Sequence, residues 1–169
     1  MKILIFTEGT ILMFPSAEKL TREERVQQSM NRVESVHDFK NYISNGNAVD
    51  KIKKWKRQGA EIYYLTSRRT SEEINCVREV LHKYNFPDHQ NLVFRKEGEE
   101  YKDVAEKLMP DILIEDDCES IGGEVEMTYP HVKKESKAKI KPMIVKEFGG
   151  IDHLPNKIEE LLKYPKINS

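Results

Sequence analysis

The chain has 169 residues, within the range of one domain that buries a core without disulfides or a structural metal. Its 28 Lys and Arg residues against 29 Asp and Glu leave a net charge of −1, which excludes the strongly basic field of a nucleic-acid binder. Hydrophobic residues reach 38% and occur in short runs, none long enough to span a bilayer, and the apolar start of the chain is too short for a signal peptide. Cys76 and Cys118 are far apart and have no metal-ligand spacing, so they are expected to be small semi-buried hydrophobes in a reducing compartment, the cytoplasm.

Along the chain, short apolar runs alternate with amphipathic stretches, the pattern of βα units on a parallel sheet. Ile3 to Phe6 reads as a strand buried on both faces, broken by Gly9 and Thr10. Ser16 to Asn45 is polar and helix-friendly, with Val26, Met30, Val33 and Val36 to Phe39 as an interrupted apolar face, and Asn45-Gly46-Asn47 closes this insert with turn chemistry. Ala48 to Gln58 is predicted helical, with a Val49, Ile52 and Trp55 stripe and a stop at Gly59. Its Lys51, Lys53, Lys54, Lys56 and Arg57 are expected on the solvated face. Glu61 to Leu65 is a second strand. A helix capped by Thr70 or Ser71 follows and runs to Tyr84 with Ile74, Val77 and Leu81 inward.

Leu92 to Phe94 is a third strand, Tyr101 to Leu108 a short helix, and Ile112 to Ile114 a fourth strand that runs into Glu115-Asp116-Asp117. Met143 to Val145 is predicted to be a fifth strand, Phe148-Gly149-Gly150 a loop and Lys157 to Lys163 a closing helix. The fold expected is therefore a three-layer α/β/α sandwich on a Rossmann-like parallel sheet of about five strands. It would form one domain over 1–169, with a small helical insert over 11–47.

Three polar clusters each follow a strand: Thr7 to Thr10, Thr66 to Arg69 and Glu115 to Asp117. In a parallel sheet such strand ends share one edge, where ligands bind at the switch point. Three acids at the end of a buried strand are costly without a cation, and Mg²⁺ with oxygen ligands would offset them. The same triplet would also serve as an acidic N-cap. Thr66 and Ser67 offer a hydroxyl and backbone N–H groups to a phosphate oxygen, and Arg68 adds a charged donor. The five histidines (His37, His82, His89, His131 and His153) are scattered, and no GxSxG, Walker A or GxGxxG run is present.

The order and spacing of Phe6-Thr7-Glu8-Gly9-Thr10, Thr66, Lys102 and Glu115-Asp116-Asp117 resemble the four motifs of the haloacid dehalogenase superfamily of phosphohydrolases, in the style of its small nucleotidase-like members. The resemblance runs from Met1 to about Asp117 and places the insert where that superfamily carries its cap. It implies that Thr66, Ser67, Arg68 and Lys102 hold the phosphate of a phosphorylated small molecule, and that Glu115, Asp116 and Asp117 hold Mg²⁺. It also implies that Glu8 stands where the general acid would be. The nucleophile position of the DxDGT motif falls on Phe6, which cannot attack phosphorus. A one-residue slip to Thr7 would point to the opposite face. The expectation is a phosphohydrolase homologue with weak, unorthodox or absent phosphomonoesterase activity, in which Glu8 would act as acid or base, reach the metal or stand in as a displaced nucleophile. A metal-activated water with Glu8 as base would recover part of the turnover. The alternative is a non-catalytic protein-interaction or regulatory module with a vestigial pocket.

Overall fold

Five parallel strands form the sheet that organises the chain in the computed structural model, which describes residues 1–165. In chain order the elements are β1 (Lys2–Phe6), β2 (Leu12–Met13), α1 (Arg22–Met30), β3 (Ile43–Ser44), α2 (Ala48–Arg57), β4 (Glu61–Thr66) and α3 (Ser71–Lys83). They continue with β5 (Leu92–Phe94), α4 (Tyr101–Leu108), β6 (Ile112–Asp116), α5 (Lys134–Lys137), β7 (Lys141–Val145) and α6 (Ile158–Lys163). The sheet order is β5-β4-β1-β6-β7. The chain thus builds outward from β1 in one direction and then in the other, which puts a switch point at the C-terminal end of β1.

Alternation along β1 assigns the layers. Ile3 and Ile5 join the larger core cluster with Ile52 and Trp55 of α2, Ile74, Val77 and Leu81 of α3, and Leu161 of α6. Leu4 faces the other way and meets Val104 and Ala105 of α4, Leu65 and Leu113, with Phe6 packed at the edge of that smaller cluster. Helices therefore cover both faces and the three-layer α/β sandwich is realised. Thr70 caps α3 by accepting from Glu73 N at 3.2 Å. No helix among the described residues is long and apolar enough to cross a membrane.

The insert differs from a purely helical reading. Its two ends pair as an antiparallel ribbon, Leu12 opposite Ser44 and Met13 opposite Ile43, and α1 is its one α-helix. A Thr21–Glu24 capping box starts α1. The helix ends at Met30, which is exposed, and Arg32 turns left-handed at φ 49°, so the expected apolar face does not continue. Ile11, Leu12, Phe14, Ala17, Val26 and Tyr42 nevertheless belong to the larger core cluster. Lys51 also departs from expectation. It is buried, and its amine donates to Leu154 O (2.5 Å) and Asn156 Oδ1 (2.8 Å), tying α2 to the chain before α6.

Candidate active site

At the switch point a cavity of about 150 Å³ opens between the ends of β1, β4 and β6. Its floor comes from the strand ends: Phe6, Glu8 and Gly9 after β1, Ser67 and Arg68 after β4, and Asp116 at the end of β6. Ser29, Val36 and Tyr42 of the insert roof it, so the insert shades this edge of the sheet. The roof is latched. Ser29 Oγ lies 2.8 Å from Ser120 Oγ, Ser120 donates through N and Oγ to the Glu147 carboxylate (2.6 and 2.7 Å), and Arg25 donates to Phe148 O (3.0 Å).

The Glu8 carboxylate accepts three hydrogen bonds at the floor. Its Oε1 accepts from the Thr66 hydroxyl at 2.5 Å, and its Oε2 accepts from Ser67 N at 3.0 Å and from the Thr7 hydroxyl at 2.8 Å. Arg68 Nε stands 3.7 Å away, with its guanidinium over the Phe39 ring of the insert. Both carboxylate oxygens therefore rest on the donors that sequence reasoning assigned to a phosphate. Thr7 is fully buried. The Phe6 ring lines the cavity and packs edge-on against Tyr101, centroids 5.1 Å apart.

The acids at the end of β6 part company, as side-chain alternation requires. Asp116 opens on the cavity, where its Oδ2 accepts from the Thr10 hydroxyl (2.8 Å) and its Oδ1 from Cys118 N (3.0 Å). Burial pushes its pKa up to about 7, and the charge of Glu147 adds to the shift. Gly9 makes this packing possible. At φ 82° it sits so close that a Cβ would lie 2.8 Å from Asp116 Oδ2. Glu115 points to the other face and accepts from Thr128 N and Tyr129 N (2.7 and 2.8 Å); burial raises its pKa too. Asp117 accepts from Glu147 N (3.0 Å) and pairs with Lys146 at 2.9 Å.

These placements do not fit the Mg²⁺ site that the resemblance implies. Mg²⁺ asks for near-octahedral oxygen coordination. Glu115 and Asp117 are engaged elsewhere, which leaves Asp116 as the one acid at the end of β6 on the cavity, and Phe6 supplies no side-chain oxygen. Among the described residues no group of three His, Cys, Asp or Glu side chains is arranged to hold a metal.

Lys102 is not brought to the cavity. It faces a neighbouring hollow and pairs with Glu100 at 2.5 Å, while Tyr101 takes the place beside Phe6. Sequence reasoning missed Glu147, which lines the cavity and whose pKa burial raises, and it missed Arg95. Both were accessible to the strand-end argument, since Arg95 directly follows β5 and Glu147 lies two residues past β7.

Sheet order and switch-point cavity together define a Rossmann-like three-layer α/β fold with its cavity at the C-terminal strand ends. Among solved structures the chain is similar to the class C acid phosphatase from Bacillus anthracis. The TM-score is 0.57 at 11% identity, covering 99% of this chain and 79% of that one. The tungstate-bound form of that phosphatase gives 0.55 at 13% identity with the same coverage. At these identities the likeness is one of fold. No protein-family model matches the sequence, and no curated protein matches it.

Proposed function

We propose that this chain is a haloacid dehalogenase-like homologue that does not hydrolyse phosphomonoesters, and that its own Glu8 carboxylate fills the anion seat of a retained binding pocket. A phosphorylated small molecule would enter that seat only by displacing Glu8. One observation carries the reading: the Thr66 hydroxyl and Ser67 N–H, the donors expected to hold a phosphoryl group, both hydrogen-bond Glu8.

Two further features support it. An aromatic ring stands where the motif needs a nucleophile, and losing a nucleophile from residues that act as a unit costs on the order of 10⁴ to 10⁶ in turnover. The neighbouring hydroxyl, Thr7, is buried against Glu8 and the Leu65 carbonyl. Mg²⁺ has no part in the proposal, because the acids at the end of β6 are otherwise engaged. The two free cysteines, both half-buried, fit the reducing conditions of the cytoplasm.

The test is phosphate release from nucleotides, sugar phosphates and an aryl phosphate, with Mg²⁺ or with EDTA, for wild type and Asp116→Asn. No release above buffer from either protein is expected. Release by wild type that disappears in Asp116→Asn would overturn the reading and make Glu8 the next residue to substitute.

A further inference from the structure

A second hollow, of about 190 Å³, lies beside the strand-end cavity and shares Tyr101 and Glu126 with it. Arg95 lines it, directly after β5. The Arg95 guanidinium carbon stands 3.7 Å from the centroid of the Tyr101 ring, so the group lies over the ring face. Among the described residues no carboxylate lies within ion-pair distance of Arg95, and its Nε is buried without an acceptor. Arginine stays charged at any ordinary pH, and a buried N–H left without a partner is rare in folded proteins. Lys102 reaches the same hollow, with Glu100 holding its amine. His131 lines it too, and its Nε2 donates to Val125 O at 3.0 Å.

We infer that this hollow is a binding site for the oxyanion group of a small molecule, with the Arg95 guanidinium as its principal contact and Lys102 as a second positive charge. Stacking on Tyr101 fixes the guanidinium plane and leaves its in-plane N–H groups for an acceptor, the geometry that suits a carboxylate or phosphate. Lys102, on its flexible stem, adds charge without that directionality. The site is separate from the seat that Glu8 fills, and its occupancy does not require Glu8 to move.

Glu126 is the competing acceptor. It lines both hollows and forms no ion pair among the described residues, so a change of rotamer is the way this chain would satisfy Arg95 by itself.

The experiment is a titration of the full chain with inorganic phosphate and, separately, with acetate. It is followed by the Arg95 Nε–H resonance in nitrogen-15 spectra and by thermal stabilisation. Saturable shifts of that resonance are expected. Arg95→Gln should weaken the stronger-binding anion about tenfold or more, and Lys102→Gln should weaken it less. Arg57→Gln, at an exposed arginine at the end of α2 on the other face of the sheet, should leave the affinity unchanged. Arg95→Lys keeps charge and stem but loses the planar fork, so it should also weaken binding, and it serves if Arg95→Gln does not fold. Preference for phosphate over acetate would assign the site to phosphate esters, and the reverse to carboxylates. Equal weakening by Arg57→Gln would overturn the inference in favour of diffuse surface charge. A resonance that ignores both anions but moves in Glu126→Gln would overturn it too, identifying Glu126 as the partner of Arg95. Neither result depends on whether wild type releases phosphate.

Discussion

Thr66 donates its hydroxyl to Glu8 Oε1 at 2.5 Å, joining the ends of two neighbouring parallel strands through a single carboxylate. The bond occupies both groups. Thr66 does not offer its proton to a ligand while the bond holds, and Glu8 Oε1 has one of its two lone pairs engaged. Aspartate at position 8 would be one methylene shorter. The extra reach of glutamate is what lets the side chain span from the end of β1 to the loop after β4.

Removing that carboxylate should therefore open the seat. Glu8→Ala leaves the Thr66 hydroxyl and Ser67 N–H without their acceptor, and the variant should lose about 1–3 kcal/mol in phosphate-free buffer. Added inorganic phosphate should raise its melting temperature in proportion to RT ln(1 + [L]/Kd), while wild type responds far less through this seat. Differential scanning fluorimetry of both proteins across a phosphate series reads the difference, with Arg95→Gln in both backgrounds to remove any contribution of the outer hollow. If the two proteins respond alike, the seat is vestigial, and the interaction-module reading becomes the better one.

Asp116 predicts a pH dependence. Its folded pKa of about 7 lies above the ordinary 3.8, because burial and the charge of Glu147 disfavour the ionised form. Between those values the folded state binds more protons than the unfolded state, so this group's contribution is fully present below about pH 4 and is lost as pH rises through 7. Asp116→Asn keeps the shape but does not titrate; its amide oxygen can still accept from Cys118 N, while its NH2 faces Thr10, whose hydroxyl must turn to accept. Its stability relative to wild type should grow with pH on the order of 1 kcal/mol per unit between about pH 4 and pH 7, then level off. Urea unfolding at several pH values with EDTA present measures it, and parallel curves for the two proteins would refute the shift.

The sheet was legible in the sequence, and much of the site was not. Buried parallel strands are continuous apolar runs, so Ile3 to Phe6, Glu61 to Leu65 and Leu92 to Phe94 could be placed within a residue. The insert was harder. Leu12–Met13 and Ile43–Ser44 pair only because the fold brings them together, and two residues show no alternation to detect. Glu115-Asp116-Asp117 shows the limit most clearly. A strand-end triplet reads as one acidic cluster, yet alternation sends Glu115 to the N–H groups of Thr128 and Tyr129, and only Asp116 opens on the cavity. That split follows from the two-residue period of a strand and was available in principle. Tyr101 taking the place beside Phe6, with Lys102 turned toward Glu100, was not, because it depends on where α4 sits over the sheet.

Gly9 provides a steric test. It adopts φ 82°, and a Cβ there would meet Asp116 Oδ2 at 2.8 Å, whereas Gly98 adopts a similar φ of 78° with nothing within 4 Å. Gly98→Ala isolates the backbone strain, about 1 kcal/mol. Gly9→Ala adds a collision with a buried carboxylate and should cost about 1–3 kcal/mol beyond that. The two unfolding midpoints, compared directly, separate these contributions. Equal losses would mean that Asp116 yields freely and that the close packing of β1 against β6 at this edge is unimportant.

Trp55 links the core to the chain before α6. It is fully buried in α2, and its indole N–H donates to Pro155 O at 2.9 Å, next to the contacts that the Lys51 amine makes with Leu154 O and Asn156. Trp55→Phe removes part of the buried volume and leaves that carbonyl without its donor, a cost of about 1–3 kcal/mol, and Trp55→Ala should cost about 3–5 kcal/mol. Because Trp55 is the only tryptophan, its emission reports the environment of this junction alone. The larger core cluster runs without a break from α2 through the sheet to α6, so tryptophan emission and far-ultraviolet circular dichroism should give the same midpoint in urea. A tryptophan transition that precedes the dichroism transition would show that the α6 end opens before the sheet does. Glu8→Ala lies in a different part of the molecule and should shift both midpoints together, so in that case a separation between the two signals would locate the weak joint at α2 and α6.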